Sequence, residues 1–510
     1  MGRHSGFWMA AALTGVTALA TTLRLSAGGA SIPGNRLAHD RPSATLSQFS
    51  TMQNSTPDAE RVSATAHTDE ARRSVTLTSI PAGALIIIGS IDTSGARHTV
   101  RIDAGAGDSS FESVESFQAP VRMSQHEVPR ESCGLSQSEA EPQAKSHHDH
   151  GPGFGLHGNV IPAVRHFLIP QFVMNSTEQR PAAAVQIAET ARVAVFLDAE
   201  LCDTTEESSD ADLRDNQNSL AQRICDRLES DHLDQVTHWI GPIDDVDGDR
   251  RLTIVLTELD RRAVPDDTPI LGCVRDRDFA PSACDDGLAG DIIYLNHRLP
   301  GGPELDALLV HELVHAAICC LRIDALTRSQ LSTQPQKVSA WLNEAIAHVL
   351  EMKLTASSTG FADRMQRFQS EPATSPIVAD HNHLSFVARR GGSRAAAALF
   401  LAPHIDSPED IAVLCDERSA FSERFQTVSG RSFADEFRAW SIRHAGSRYP
   451  VVVNAADRGE LQTPTDLRND VQCSCRLYGT AFMAFRCRAS IDRLIIASDD
   501  ESQLQITILE

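Results

Sequence analysis

The sequence predicts an α+β protein in which an α/β lobe precedes a helical lobe, with small β modules on either side. Three observations predict it. A strand-like run from Arg192 to Asp198, RVAVFLD, is followed by an amphipathic helical stretch from Leu220 to Leu233, which begins an α/β unit. Two apolar stretches of helical period, Leu305 to Ile318 and Trp341 to Glu351, come next. Runs rich in β-branched residues, bounded by turn signals, lie before and after this central region.

Taken in order, residues 1–30 read as an export signal. Arg3 and His4 precede an uncharged run from Ser5 to Leu23, and small residues suited to cleavage occur at Ala18-Leu19-Ala20 and from Ala27 to Ala30. The same run is long enough to remain as an anchor over residues 5–23, so a secreted or extracytoplasmic protein and a membrane-anchored one are both open. Residues 31–75 are polar and aperiodic, as in a linker or the start of a propeptide. Val/Thr/Ile-rich runs around Pro81-Ala82-Gly83 predict a small β module over 76–130. The stretch HHDHGPGFGLHG marks 131–160 as a Gly/His-rich linker.

The central domain spans 161–445. Its strands are expected at Arg192 to Asp198, Leu252 to Leu256 and Ile292 to Asn296. Gly302-Pro303 opens the first apolar helix, and further helices are expected at Arg394 to Leu401 and Phe433 to Ser441. Beyond Pro450, the segments Val451 to Val453, Thr480 to Arg486, Leu494 to Ala497 and Leu504 to Leu509 predict a second β domain over 446–510.

Composition narrows the partners. With 41% apolar and 22% charged residues the chain is an ordinary globular protein, and a formal charge of -22 argues against an electrostatic grip on nucleic acid or an anionic membrane. Apart from an uncleaved anchor, no membrane contact is expected. In an oxidising compartment the 11 cysteines can pair, and proximity suggests Cys273 with Cys284 and one pair among Cys473, Cys475 and Cys487. Adjacent Cys319 and Cys320 read as buried packing.

The chemistry is carried by His311-Glu312-Leu313-Val314-His315. On a helix, residues four apart share one face, so both imidazoles can converge on one tetrahedral zinc ion. Glu312 is offset by one position and can reach a water on that ion as general base. A third ligand is then required. The pattern HExxHxxGxxH fails, because Ile318 and Leu321 occupy its glycine and final histidine positions. Glu344, within the apolar stretch Trp341 to Glu351, is the candidate.

HExxH followed by Trp341-Leu342-Asn343-Glu344-Ala345 resembles the gluzincin metallopeptidases, whose third zinc ligand is a glutamate on a second helix. The order Asp245 to Leu256, Ile292 to Asn296, HELVH, the Trp341 helix, then Gly430-Arg431-Ser432-Phe433 is similar to that of the hyicolysin-type secreted peptidases, over roughly residues 165–445. The resemblance implies a zincin-like fold, zinc on His311, His315 and Glu344, Glu312 as general base, and a protein or peptide substrate. Ala345 replaces the usual glycine. His348 stands where the wider family places a carboxylate that orients a zinc-bound histidine, a task Glu351 could take.

The donor for the tetrahedral oxyanion is open. Tyr294, Tyr449 and Tyr478 lie in no matching motif, and His381 and His383 are candidates. Two other readings also stand: an inactive, metal-stabilised binding protein, and a hydrolase of non-peptide substrates. Finally, Asp245, Asp247 and Asp249 alternate before the Leu252 strand in a pattern able to chelate calcium. Leu256 occupies the position where an EF-hand carries its closing glutamate, so a calcium site and a plain acidic turn are both open.

Overall fold

The computed structural model describes residues 62–67, 74–94, 96–105, 163–173, 176–203, 211–259, 261–262, 270–279, 290–299, 301–321, 338–356, 359–379, 391–446, 466–467, 471–498 and 503–509. The expected export signal, the His-rich linker, Cys284, His381, His383, Tyr449 and the Val451 to Val453 run lie outside these residues.

The chain begins with β1 (Val62–His67), β2 (Ser74–Ile80), β3 (Leu85–Ser90) and β4 (Arg97–Gly105), then β5 (Val164–Val173), β6 (Ser176–Glu189) and β7 (Val193–Asp198). Helices α1 (Ala199–Asp203), α2 (Ala211–Arg227) and α3 (Leu233–Trp239) lead to β8 (Leu252–Thr257), β9 (Arg261–Arg262), β10 (Gly272–Val274) and β11 (Ile292–Asn296). A helical run follows: α4 (Pro303–Cys319), α5 (Ala340–Leu354), α6 (Thr359–Ser370), α7 (Gly391–Leu401), α8 (Pro408–Cys415), α9 (Phe421–Ser429) and α10 (Phe433–Gly446). Strands β12 (Asp466–Leu467), β13 (Val471–Tyr478), β14 (Phe482–Cys487), β15 (Ile491–Ser498) and β16 (Leu504–Leu509) close it. The protein is α+β.

The central sheet runs β10-β11-β8-β7-β6-β5-β9. Neighbours β11, β8 and β7 are parallel, and β10 is an antiparallel edge strand on β11. Burial on both faces explains why β7 and β8 are so rich in apolar residues. Val193, Val195, Leu197, Ile254, Ile293 and Leu295 join one core with Ile224 of α2 and Leu309 and Leu313 of α4. The alternate residues Ala194, Phe196, Val255 and Tyr294 pack with Phe167 and Ile169 of β5 on the other face. Each such aliphatic side chain removed from water stabilises by about 1.5–3 kcal/mol.

Helix α4 starts at Pro303, where a missing N–H costs nothing, and buries residues on all sides from Leu305 to Ile318. The amphipathic helix starts earlier than the apolar period indicates, at Ala211, and passes through a π turn, Leu228–His232, into α3. Ser432 accepts from the Asp435 amide at 3.1 Å and so caps α10, the role expected of the Gly430-Arg431-Ser432-Phe433 segment.

The two flanking β modules, expected separately over 76–130 and 446–510, are halves of one unit. One sheet runs β1-β16-β3-β14-β12 and the other β13-β4-β15-β2, so strands from both ends of the chain alternate. Their facing surfaces enclose Ile86, Ile88, Ile102, Phe485, Ile496 and Ile506. Neither half covers its own apolar face, which is why they combine. Ile87, on the opposite face of β3, belongs to the helical core instead. Among the described residues no helix is long and apolar enough to cross a membrane.

Cys273, Cys473, Cys475 and Cys487 carry free thiols, so no pair forms among the last three. Cys473 and Cys475 lie two apart on β13, a Cα spacing of about 6.7 Å in a strand, at the limit a disulfide spans. Cys320 is buried and accepts from the Asp244 amide at 3.3 Å, while Cys319 is half-buried near Asp276.

Candidate metal centre

Helices α4 and α5 pack side by side and bring five acid and imidazole side chains to one buried point. Nε2 of His311 and Nε2 of His315 are 3.1 Å apart, the consequence of their four-residue spacing. Glu344 Oε2 reaches in from α5, 3.6 Å from His311 Nε2 and 4.0 Å from His315 Nε2. Donor atoms on a tetrahedral zinc with bonds near 2.0–2.1 Å stand about 3.3 Å apart, so the three lie close to that arrangement.

The back of each group is held. The Nδ1 nitrogen of His315 is 2.8 Å from Asn343 Oδ1, and as the N–H it donates there, turning its Nε2 lone pair toward His311. Nδ1 of His311 stands 3.3 Å from Glu351 Oε2, which also accepts from Nδ1 of His348 at 2.8 Å. Arg394 of α7 holds the other Glu344 oxygen, Nη2 to Oε1, at 2.8 Å. Glu344 Oε2 is left buried with no hydrogen-bond partner. Buried beside two imidazoles, that oxygen calls for positive charge, which a proton on His311 or a cation seated among the donors supplies.

Titration follows the same geometry. Burial opposes a charge on His311, but Glu344, Glu351 and Glu312 outweigh it and raise its pKa to about 9. Burial and the adjacent His311 lower His315 to about 4 and His348 to about 3. For Glu344 burial is outweighed by Arg394 and His311, which hold it well below the usual carboxylate range. The site demands positive charge, and a metal binding there would displace the His311 proton.

Glu312 is buried against β10. A Cβ on Gly272 would meet Glu312 Oε1 at 2.8 Å and its Cγ at 2.9 Å, so this edge-strand position accepts only glycine while Glu312 keeps its rotamer. Oε2 of Glu312 has no hydrogen-bond partner, and burial raises its carboxyl to about 7.

Among the described residues, two donor groups at this point have metal-site spacing, and both contain His311: with His315 and Glu344, and with His348 and Glu351. These buried His/Glu groups could hold a metal ion. In the second, Glu351 Oε2 already accepts from His348, as the orienting carboxylate of a histidine pair does. In the first, Glu344 Oε2 makes no hydrogen bond.

Two positions escaped sequence reasoning. Arg394 stood out only as the one charged residue of its Ala-rich helix, and Asn343 only as the neighbour of Glu344. Tyr294, in no matching motif, is buried in the opposite core, where Arg275 Nη2 donates to its hydroxyl at 2.7 Å. The acidic turn also differs from expectation. Asp245 and Asp247 come together with Asp291 of the β11 entry, whereas Asp249 lies outside that group and caps the turn by accepting from the Arg251 amide at 2.7 Å. No protein-family model matches the chain, and no curated protein is similar to it.

Proposed function

We propose that this protein is an exported zinc-dependent endopeptidase of gluzincin type, with a zincin-like fold and unstructured or extended protein chains as substrate. The observation that carries the reading is the convergence of His311 Nε2, His315 Nε2 and Glu344 Oε2, with Glu312 beside them on the same helix. Two imidazoles and one carboxylate suit zinc and leave a fourth position open. When bound, zinc supplies a Lewis acid that polarises a carbonyl and acidifies water.

The chain's own groups would do the rest. Glu312 takes a proton from the attacking water on its free Oε2 and returns one to the departing amine nitrogen. Glu351 and Asn343 hold the imidazoles in their tautomers, and Arg394 fixes the Glu344 carboxylate. Strand β10 is a sheet edge touching Glu312 through Gly272, and an extended chain can pair with such an edge through its backbone. Export rests on the amino-terminal sequence alone.

The test is cleavage of an unfolded protein by purified chain with zinc, beside chelator-treated and Glu312→Ala samples. Cleavage lost in both controls, with zinc retained by Glu312→Ala, supports the proposal. Zinc uptake without cleavage in the parent protein would favour the binding-protein reading.

A further inference from the structure

The loop between α3 and β8 holds a second constellation, remote in chemistry from the imidazole centre. Its sequence is Asp245-Val246-Asp247-Gly248-Asp249-Arg250-Arg251, and it folds tightly, with positive φ at Gly248 (79°) and Arg250 (64°). Asp247 Oδ1 accepts from the Asp249 amide at 3.2 Å and Asp245 Oδ1 from the Arg250 amide at 3.1 Å. Those bonds shape a turn and imply no ligand. The second observation is Asp291, which belongs to another part of the chain.

Asp291 precedes β11 and is fixed there by its carbonyl, which accepts from the Thr253 amide of β8 at 3.0 Å. Parallel pairing of β8 with β11 therefore places it directly beside the loop that enters β8. It is only 3% exposed, its Oδ1 is buried with no hydrogen-bond partner, and the Val246 amide, inside the loop, donates to its carboxylate. One oxygen each from Asp245, Asp247 and Asp291 lie within 4.8 Å of one another. Oxygens on a calcium ion at about 2.4 Å are separated by at most about 4.8 Å, so the three fit one coordination sphere.

Charge points the same way. Arg165 of β5 touches the cluster, Nη2 to Asp247 Oδ2 at 2.5 Å and Nη1 to Asp249 Oδ2 at 3.7 Å, and one guanidinium does not balance four carboxylates.

We propose that Asp245, Asp247 and Asp291 form a structural calcium site that ties the β8 entry loop to the head of β11. The donor set is all oxygen, which selects a hard cation over zinc, and magnesium seldom gives up its waters to a cage of protein carboxylates. The closing carboxylate that the linear motif lacks at Leu256 is supplied through space by Asp291. Calcium here would brace the two parallel strands from which edge strand β10 hangs, independently of whether the imidazole centre is catalytic.

The experiment uses the full chain, freed of divalent ions and then reloaded with zinc, titrated calorimetrically with calcium or magnesium and followed by thermal melting. Calcium is expected to bind and raise the melting temperature by several degrees, with magnesium far weaker. Asp291→Asn, similar in size, and Asp245→Asn, at an exposed position, should each weaken calcium binding at least tenfold, while Asp249→Asn keeps it. Absence of calcium binding, or a calcium response that survives both Asp291→Asn and Asp245→Asn, would overturn the assignment. An Asp291→Asn chain that melts higher than the parent regardless of calcium would show instead a buried acid held without a metal.

Discussion

Glu351 sets its Oε2 3.3 Å from Nδ1 of His311, the nitrogen opposite the one that faces His315 and Glu344. The same carboxylate accepts from Nδ1 of His348, three residues earlier on the helix, at 2.8 Å.

Glu351→Gln is therefore expected to weaken zinc binding by about 10- to 100-fold, because a carboxylate on the far nitrogen raises the basicity of a ligand imidazole and fixes its tautomer. Competition against a chromogenic chelator measures this. An unchanged affinity would reduce Glu351 to packing.

Gly272→Ala places a methyl where the Glu312 side chain now lies. Displacing a reacting group by about 1 Å can cost on the order of 100-fold in rate. The variant should lose about that much cleavage while keeping its zinc content, since the atoms nearest the new methyl belong to Glu312 and not to the proposed ligands His311, His315 and Glu344.

Glu436 anchors the helical lobe: buried on α10, it meets Arg443 at 3.0 Å, Arg431 at 3.1 Å and His404 at 3.7 Å. Burial is outweighed by His404 and Arg443, and the carboxyl is lowered to about 2. A folded-state pKa below the unfolded value gives stability that is present above about pH 4.5 and drains away as pH falls toward 2. Glu436→Gln should thus cost about 3 kcal/mol at neutral pH, with the difference shrinking below pH 4 in urea unfolding series.

Phe482 of β14 joins the β unit to the helices, its ring edge-on to Trp440 at 5.5 Å and fully buried. Phe482→Ala should cost about 3–5 kcal/mol. Because the ring belongs to the helical core, the loss should appear in one shared unfolding transition. Two separate transitions in the parent protein would mean that the β unit folds alone.

Helix α4 was legible because its signal is local: Pro303 at the first turn, helical apolar spacing, and two histidines four apart need only one helix to acquire meaning. Glu344 was legible through its place in a second apolar helix. Arg394 was not, since an arginine opening an Ala-rich helix looks the same in solvent as beside a buried carboxylate. Asp291 was likewise silent, an acid before a strand whose importance depends on which strand lies next to it.

By itself the sequence determined the α+β class, the central strands and helices, and the histidine pair with its adjacent glutamate, all matters of period and spacing along a few turns. Only the tertiary structure decided that both ends of the chain build one β unit, that Glu351 backs His311, and that Asp291 rather than Asp249 joins Asp245 and Asp247. The physical reason is the same in each case. Sheet pairing and charge compensation act between residues distant in sequence, and short-range patterns carry no record of which distant partner will be brought near.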